Sequence, residues 1–337
     1  MLRNFIRLVL HCRLEDVMAA GFSATLLIFF LTTRIFVSFH LNGQDIVFIL
    51  LPAGILGVKF LLKMLSASDS RAGDNLDTGK YLVSFFKPLV KIVRDWFPFL
   101  LLSACYYSLY TNLVLRVNPH TADAFLSKID AAILGNQPSF LLEPLIRPWL
   151  TDFLDLVYFS HIIFFPVVAL YFYLKRQEKM FRRLMMGYLT LFLMGIASYI
   201  LVPAKGPEAF FAGQYTRDLN GHALVQSVDY IFRVGHVAFD CFPSLHVGIP
   251  LLLAFYLRDY RKKLFIPVLI YVAFMCLATI YLRFHYLIDV IAAFAYAPAA
   301  YFLNDFLLSR WPGERILSAT HQTMNEKAPA QPEGGPM

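Results

Sequence analysis

Apolar residues in this chain come in long uninterrupted runs, unlike the alternation of a half-buried strand or the spaced stripe of a surface helix. Eight runs are read as transmembrane helices: 17–38, 46–64, 96–115, 152–174, 181–202, 243–257, 264–282 and 286–308. A bilayer core takes about 20 residues of helix. The sixth run is the shortest and opens on Phe242-Pro243-Ser244-Leu245-His246, which puts a polar pentapeptide at or within the membrane surface. A basic turn, Arg258 to Lys263, then sends the chain back through the seventh run to Tyr281-Leu282-Arg283-Phe284-His285-Tyr286-Leu287-Ile288-Asp289. The hairpin predicts that both polar clusters face the same side of the membrane.

The intervals between the runs differ in character. Residues 65–95 start polar and continue with Tyr81, Phe85, Phe86, Leu89, Val90 and Val93 among Lys80, Lys87, Lys91 and Arg94, the pattern of a basic amphipathic helix on a membrane surface, kinked at Pro88. The connection 116–151, broken by Pro138, Pro144 and Pro148, is too short to span and is expected along the interface. Residues 203–242 open with Pro203-Ala204-Lys205-Gly206-Pro207 and lead into the pentapeptide, which suits a substrate-covering cap. From Ser318 onward the chain is polar and rich in proline, a composition of disordered tails. These features predict an all-α polytopic membrane protein in three parts: 1–95, a two-helix segment with the amphipathic helix; 96–308, a six-helix core; and 309–337, a cytoplasmic tail.

Composition excludes a soluble domain, because 58% of the 337 residues are hydrophobic and 16% charged, against about 25% charged in soluble averages. The net charge of +7 does not point to nucleic acid, because its distribution follows the membrane. Of the 30 Lys and Arg, 22 fall on the side bearing both termini, so the positive-inside rule places the termini in the cytoplasm and both polar clusters outside. Arg3, Arg7 and Arg13 precede a long apolar run without a small-residue cleavage site, the pattern of a retained anchor. Cys12, Cys105, Cys241 and Cys276 lack Cys-x-x-Cys spacing and indicate neither a metal site nor a disulfide framework. The absence of an Asn-x-Ser/Thr sequon leans toward a bacterial inner membrane.

The chemistry sits in the two clusters. His285 and Asp289 are four apart, so on a helix they share a face and the carboxylate can hold the imidazole. That pairing fixes the tautomer and supports nucleophilic attack by the other ring nitrogen. His246, returned to the same side, can protonate a leaving oxygen and later activate an acceptor. Two histidines, an aspartate and the N-terminus of the 243–257 helix suit phosphoryl transfer, with Lys205, Arg283 and the Ser244 hydroxyl nearest for the phosphate oxygens. Either histidine alone reads as an interfacial residue; the set reads as functional because ionisable groups at membrane depth are costly. Lys205 is either a phosphate ligand or a solvated loop cation. His161, some nine residues into the fourth run beside Tyr158, is either a satisfied buried histidine or part of the cavity wall.

At these residues the chain resembles the type 2 phosphatidic acid phosphatase superfamily, and within it the branch of fungal inositol phosphorylceramide synthase and its bacterial relatives. The resemblance covers roughly 96–308. It rests on Phe242 to His246, on His285 to Asp289, on Pro203 to Pro207, and on Tyr158-Phe159-Ser160-His161. It implies a six-helix core, a nucleophile at His285 oriented by Asp289, a general acid at His246, and no metal or other cofactor. The superfamily's Lys-x6-Arg-Pro motif is absent, Thr279 stands where an arginine is expected, and Leu245 replaces the usual glycine between Ser244 and His246. These departures resemble the synthase branch. The implied activity moves a phosphate or inositol-phosphate-like headgroup from a lipid phosphate or phospholipid donor to a lipid or sugar alcohol. Alternatives are a phosphatase acting on phosphatidate or polyprenyl phosphate, and a lipid transporter. The transporter lacks the repeated halves and paired broken helices such proteins carry.

Overall fold

The computed structural model describes residues 12–33, 90–102, 114, 117–221 and 239–312. The second expected span, most of the amphipathic segment, parts of the first and third spans, part of the cap and the tail lie outside these residues. The described helices are α1 (Leu14–Thr33), α2 (Asp123–Leu134), α3 (Pro138–Leu141), α4 (Pro148–Leu174), α5 (Glu178–Leu201), α6 (Pro207–Phe210), α7 (Leu245–Tyr260), α8 (Phe265–Tyr281) and α9 (Leu287–Arg310), with a further helical stretch over 90–102. Among the described residues there is no strand, and one isolated bridge joins Ala204 to Asp240. The architecture is all-helical.

Four described helices, α4, α5, α8 with its preceding turn, and α9, are long and apolar enough to cross a membrane, which makes this an integral membrane protein. They match the fourth, fifth, seventh and eighth expected spans. The sixth, α7, has 16 residues, a rise of about 24 Å that falls short of a bilayer core of about 30 Å. Its environment explains why a helix this short is apolar throughout. α7 packs against α4, α5, α8 and α9, and Val247, Leu251, Leu252, Leu253, Ala254 and Tyr256 along it are buried. A helix apolar on every side is a central helix, and neighbours rather than lipid surround this one.

The turn Lys262–Leu264 reverses the chain between α7 and α8, so the start of α7 and the end of α8 lie at one end of the bundle. The opposite end is held by ion pairs. Arg183 reaches Asp259 at 2.7 Å and Asp305 at 2.5 Å, joining α5, α7 and α9. Arg182 grips both oxygens of Glu15 at 2.6 and 2.8 Å, and Arg13 binds Asp95 at 2.6 Å. These pairs fasten α1 and the 90–102 stretch to the core.

The connection over 116–151 folds onto the site end of the bundle. α2 packs on α6 and α9, and Asp123 and Asp130, one face apart by seven residues, are fully buried. The expected interfacial stretch therefore acts as scaffold for the loops that carry the polar clusters.

Candidate active site

The loop between α8 and α9 is wound back on the helix it leaves. The N–H groups of Phe284 and His285 both donate to the carbonyl of Thr279, at 3.0 and 3.1 Å, and Arg283 takes a positive φ of 67°. α9 then starts with its amides already satisfied. Tyr286 N–H donates to Asp289 Oδ2 at 2.7 Å, and Leu287 and Ile288 N–H donate to the two oxygens of Asp130 at 2.7 and 2.9 Å. Those orphan amides of a helix start are thus taken by carboxylates. α7 differs, because no side chain caps it, which leaves its first turn as the end suited to a phosphate.

His285 is buried between these elements. Its Nδ1 lies 2.9 Å from the carbonyl of Cys241 and 3.5 Å from Asp289 Oδ2. Both partners only accept, so Nδ1 carries the proton and Nε2 the lone pair, a tautomer assigned from the partners. Nε2 in turn lies 3.0 Å from His246 Nδ1, which donates to it. The carboxylate expected to hold the imidazole is in place, and the nearer partner is the Cys241 carbonyl. The Cys241 thiol donates to Asp289 Oδ2 at 2.9 Å. Burial, with the Asp289 charge beside it, pushes that thiol well above its ordinary pKa, so it stays a donor. Asp289 Oδ1 is buried and has no hydrogen-bond partner among the described residues.

The start of α7 is set by its surroundings. Ser244 N–H donates to the carbonyl of Asp289 at 3.1 Å, and Tyr199 Oη donates to the carbonyl of Pro243 at 3.1 Å. Ser244 Oγ is fully buried and has no hydrogen-bond partner among the described residues, beside a helix start that no described side chain caps. Leu245 faces Gly195 of α5, where a Cβ would come within 2.8 Å of the leucine side chain. The departure from glycine at 245 is therefore accommodated by a glycine on the neighbouring helix.

Tyr158 and His161 line His246. The Tyr158 ring stacks between His246 and Phe284, with centroids 4.5 Å away on each side. His161 meets His246 edge-on at 4.3 Å, and its Nδ1 donates to the carbonyl of Tyr158 at 2.5 Å. His161 is thus at once satisfied by its own helix and part of the wall.

The two expected phosphate cations have other surroundings. Asp123 accepts from the backbone of Lys205 at 3.0 and 3.1 Å, from Gly206 N–H at 3.0 Å and from Tyr286 Oη at 3.0 Å. This holds the Lys205 loop against the α8–α9 turn. Gly206, with φ of 90°, lets the loop approach so closely that a Cβ would lie 2.5 Å from the Phe284 carbonyl. The Lys205 side chain is exposed, with Nζ 5.7 Å from the Phe239 ring centre. Arg283 Nη2 donates to the carbonyl of Arg217 at 2.5 Å and reaches Glu143 Oε1 at 3.4 Å, and its guanidinium lies 3.7 Å over the Tyr215 ring. Arg283 therefore braces the described part of the cap. Glu143 also accepts from Thr216 N–H and Oγ1 at 2.9 and 2.8 Å. Burial raises the Glu143 pKa, but the bonds from Thr216 and Arg217 and the Arg283 charge outweigh it and hold it below the usual range.

Sequence reasoning passed over Asp123, Asp130, Glu143 and Cys241. The first two had a legible signal, two acids seven apart on one face of a short helix. Cys241 had none, because its partners come from 44 and 48 residues further along.

A family model described as the PAP2 superfamily matches residues 124–303, just over half of the chain. No curated protein and no solved structure matches it.

Proposed function

Because the chain belongs to the PAP2 superfamily, whose members are generally phosphatases or phosphotransferases acting on lipids, we propose that it transfers a phosphate or phospho-headgroup between lipid-linked substrates through a phosphohistidine at His285. The observation that carries this reading is the contact of His285 Nε2 with His246 Nδ1 at 3.0 Å, with the far nitrogen of His285 protonated. A phosphoryl group enters between the two rings and replaces their hydrogen bond. Nε2 attacks phosphorus, the bond from phosphorus to the leaving oxygen breaks, and His246, protonated on both ring nitrogens beside the anionic substrate, gives its Nδ1 proton to that oxygen and is left neutral. The imidazolium so formed is supported by the Cys241 carbonyl and the Asp289 carboxylate. An acceptor hydroxyl then attacks phosphorus, His246 takes its proton, and the bond to Nε2 breaks.

The phosphate oxygens are assigned to the start of α7 and to Ser244 Oγ, which have donors to offer. Lys205, whose side chain is exposed on an otherwise buried loop, adds charge at the entrance. Arg283 acts through the cap, holding Tyr215 and Glu143. The 22 of 30 basic residues on the terminal side support an active site on the extracytoplasmic face, and the absence of an Asn-x-Ser/Thr sequon supports a bacterial inner membrane.

Transfer is favoured over hydrolysis because a braced cap and an apolar setting keep water from the intermediate, and because Leu245 matches the resemblance to the synthase branch. The test is incubation of purified protein with lipid phosphates and inositol phospholipids, with and without lipid or sugar alcohols, followed by mass spectrometry. A new phosphodiester or phosphomonoester that forms faster than free phosphate or headgroup is expected. Release to water as the sole outcome, unaffected by any acceptor, makes the chain a lipid phosphatase. No turnover of any lipid leaves the transporter reading.

A further inference from the structure

Three metal-binding atoms meet behind the nucleophile: Cys241 Sγ, His285 Nδ1 and Asp289 Oδ2, all buried and all within 4.8 Å of one another. Their separations are 2.9 Å from Sγ to Oδ2, 3.5 Å from Nδ1 to Oδ2 and 3.6 Å from Sγ to Nδ1. A tetrahedral Zn2+ with bonds of about 2.0–2.3 Å sets its ligand atoms about 3.3–3.6 Å apart. Two of the three separations already suit such an ion, and the third needs to open by roughly half an ångström. We propose that these three atoms form a binding site for Zn2+ or a comparably soft divalent cation, and that occupation switches the enzyme off. The binding rests on geometry alone; the inhibition rests on His285 being the nucleophile.

The donor set decides the class of ion. Thiolate and imidazole favour zinc and its softer neighbours, whereas Mg2+ and Ca2+ take oxygen ligands. The ligands are also oriented from outside. Tyr286 N–H holds Asp289 Oδ2 at 2.7 Å, and the bridge from Asp240 to Ala204 fixes the strand of chain that carries Cys241. Such outer contacts raise metal affinity by keeping the ligands in place.

The consequence follows from protons. Metal at Nδ1 needs the lone pair now blocked by the proton that Nδ1 donates to the Cys241 carbonyl at 2.9 Å, so that hydrogen bond is given up, the ring proton moves to Nε2, and the thiol releases one proton to solvent. Nε2 then has no lone pair with which to attack phosphorus. His246 becomes the acceptor at Nδ1 and holds its own proton on Nε2, where it no longer meets the leaving oxygen. One ion therefore removes the nucleophile and misplaces the acid.

The test uses the full chain in detergent with Cys12, Cys105 and Cys276 changed to serine. Equilibrium dialysis without substrate is expected to find one Zn2+ per chain displaceable by EDTA. Co2+ in its place is expected to give a thiolate-to-cobalt charge-transfer band. Cys241→Ser is expected to lose the band, to weaken Zn2+ binding by roughly tenfold or more, and to raise the half-inhibiting Zn2+ concentration by the same factor, whatever its own basal rate. Absence of the cobalt band in the protein that retains Cys241 overturns the proposal without need of the variant. So does a Zn2+ sensitivity that survives Cys241→Ser. Stoichiometric binding with the band in a protein that turns over no lipid sinks the functional reading and leaves the site standing. Turnover that millimolar Zn2+ neither inhibits nor accompanies with binding sinks the site and leaves the function.

Discussion

His246 Nδ1 and His285 Nε2 lie 3.0 Å apart, so the lone pair assigned to the nucleophile is covered by the proton assigned to the acid. The two groups complete one another only when a phosphoryl group separates them. This relationship divides their expected losses. Replacing His285 by alanine removes both halves of the reaction and the phosphoenzyme with it. Replacing His246 by alanine is expected to slow lipid turnover by about 10²–10⁴-fold. With an aryl phosphate, whose leaving oxygen needs no proton, the His246→Ala loss is expected to shrink in the first step. Single-turnover kinetics on both substrates measure this; equal losses on the two would remove His246 from the acid role.

Asp289→Asn tests the buried carboxylate. The amide is isosteric, yet turning its nitrogen toward Oδ2's place sets donor against donor at Tyr286 N–H and the Cys241 thiol. Turnover is expected to fall steeply, and stability to drop by about 1–3 kcal/mol for an amide left unpaired. Denaturant unfolding beside an activity assay separates the two effects. Unchanged activity would exclude Asp289 from supporting His285.

Asp130 lies away from the imidazoles but carries the start of α9 through Leu287 and Ile288. Asp130→Ala is expected to destabilise the fold by about 1–3 kcal/mol and to lower kcat more than it raises KM, because it loosens the helix that bears Asp289. Asp130→Asn keeps one acceptor and is expected to recover part of both. A variant as stable and active as the parent would leave the N-terminus of α9 held by other means.

The cap brace carries a pH dependence whose sign follows from Glu143. Its folded pKa lies below the usual value, so the stability it adds is present above the unfolded pKa of about 4.3 and is lost as pH falls through the folded one. Glu143→Gln is expected to melt lower than the parent at neutral pH and to converge with it in acid. Melting curves from about pH 7 to 3 read this directly; a constant gap would mean that the Glu143 charge is not what braces Arg283.

Topology is tested by cysteines introduced at Gln214 and Lys179, with Cys12, Cys105 and Cys276 changed to serine and the buried Cys241 retained. The former lies in the cap region and the latter at the start of α5. An impermeant thiol reagent is expected to reach the first from outside intact cells and the second only after lysis. The reverse pattern would place the site in the cytoplasm and change the substrate class.

The membrane architecture was legible because lipid imposes one simple demand, long apolar helices, on every spanning segment. α4, α5, α8 and α9 follow from hydropathy alone. The placing of His246 beside His285 was legible too, because two consecutive apolar helices joined by a short turn return the chain to the end it started from. The four-residue spacing suggested that Asp289 meets His285, but His285 lies in the turn before α9 and not on the helix, so it is the α8–α9 turn that brings the two together. Cys241, Asp123 and Glu143 belong to another order of information. Their roles rest on contacts made 48, 163 and 140 residues away, by loops whose local sequence carries no period to read. The same holds for Arg283. Its position two residues before His285 suggested a phosphate ligand, whereas its side chain goes to Glu143, the Arg217 carbonyl and the Tyr215 ring. Chain periodicity governs which faces of helices meet. Which donor finds which acceptor in a loop depends on backbone turns such as the positive φ of Arg283 and of Gly206, and those are settled only when the helices they join have packed.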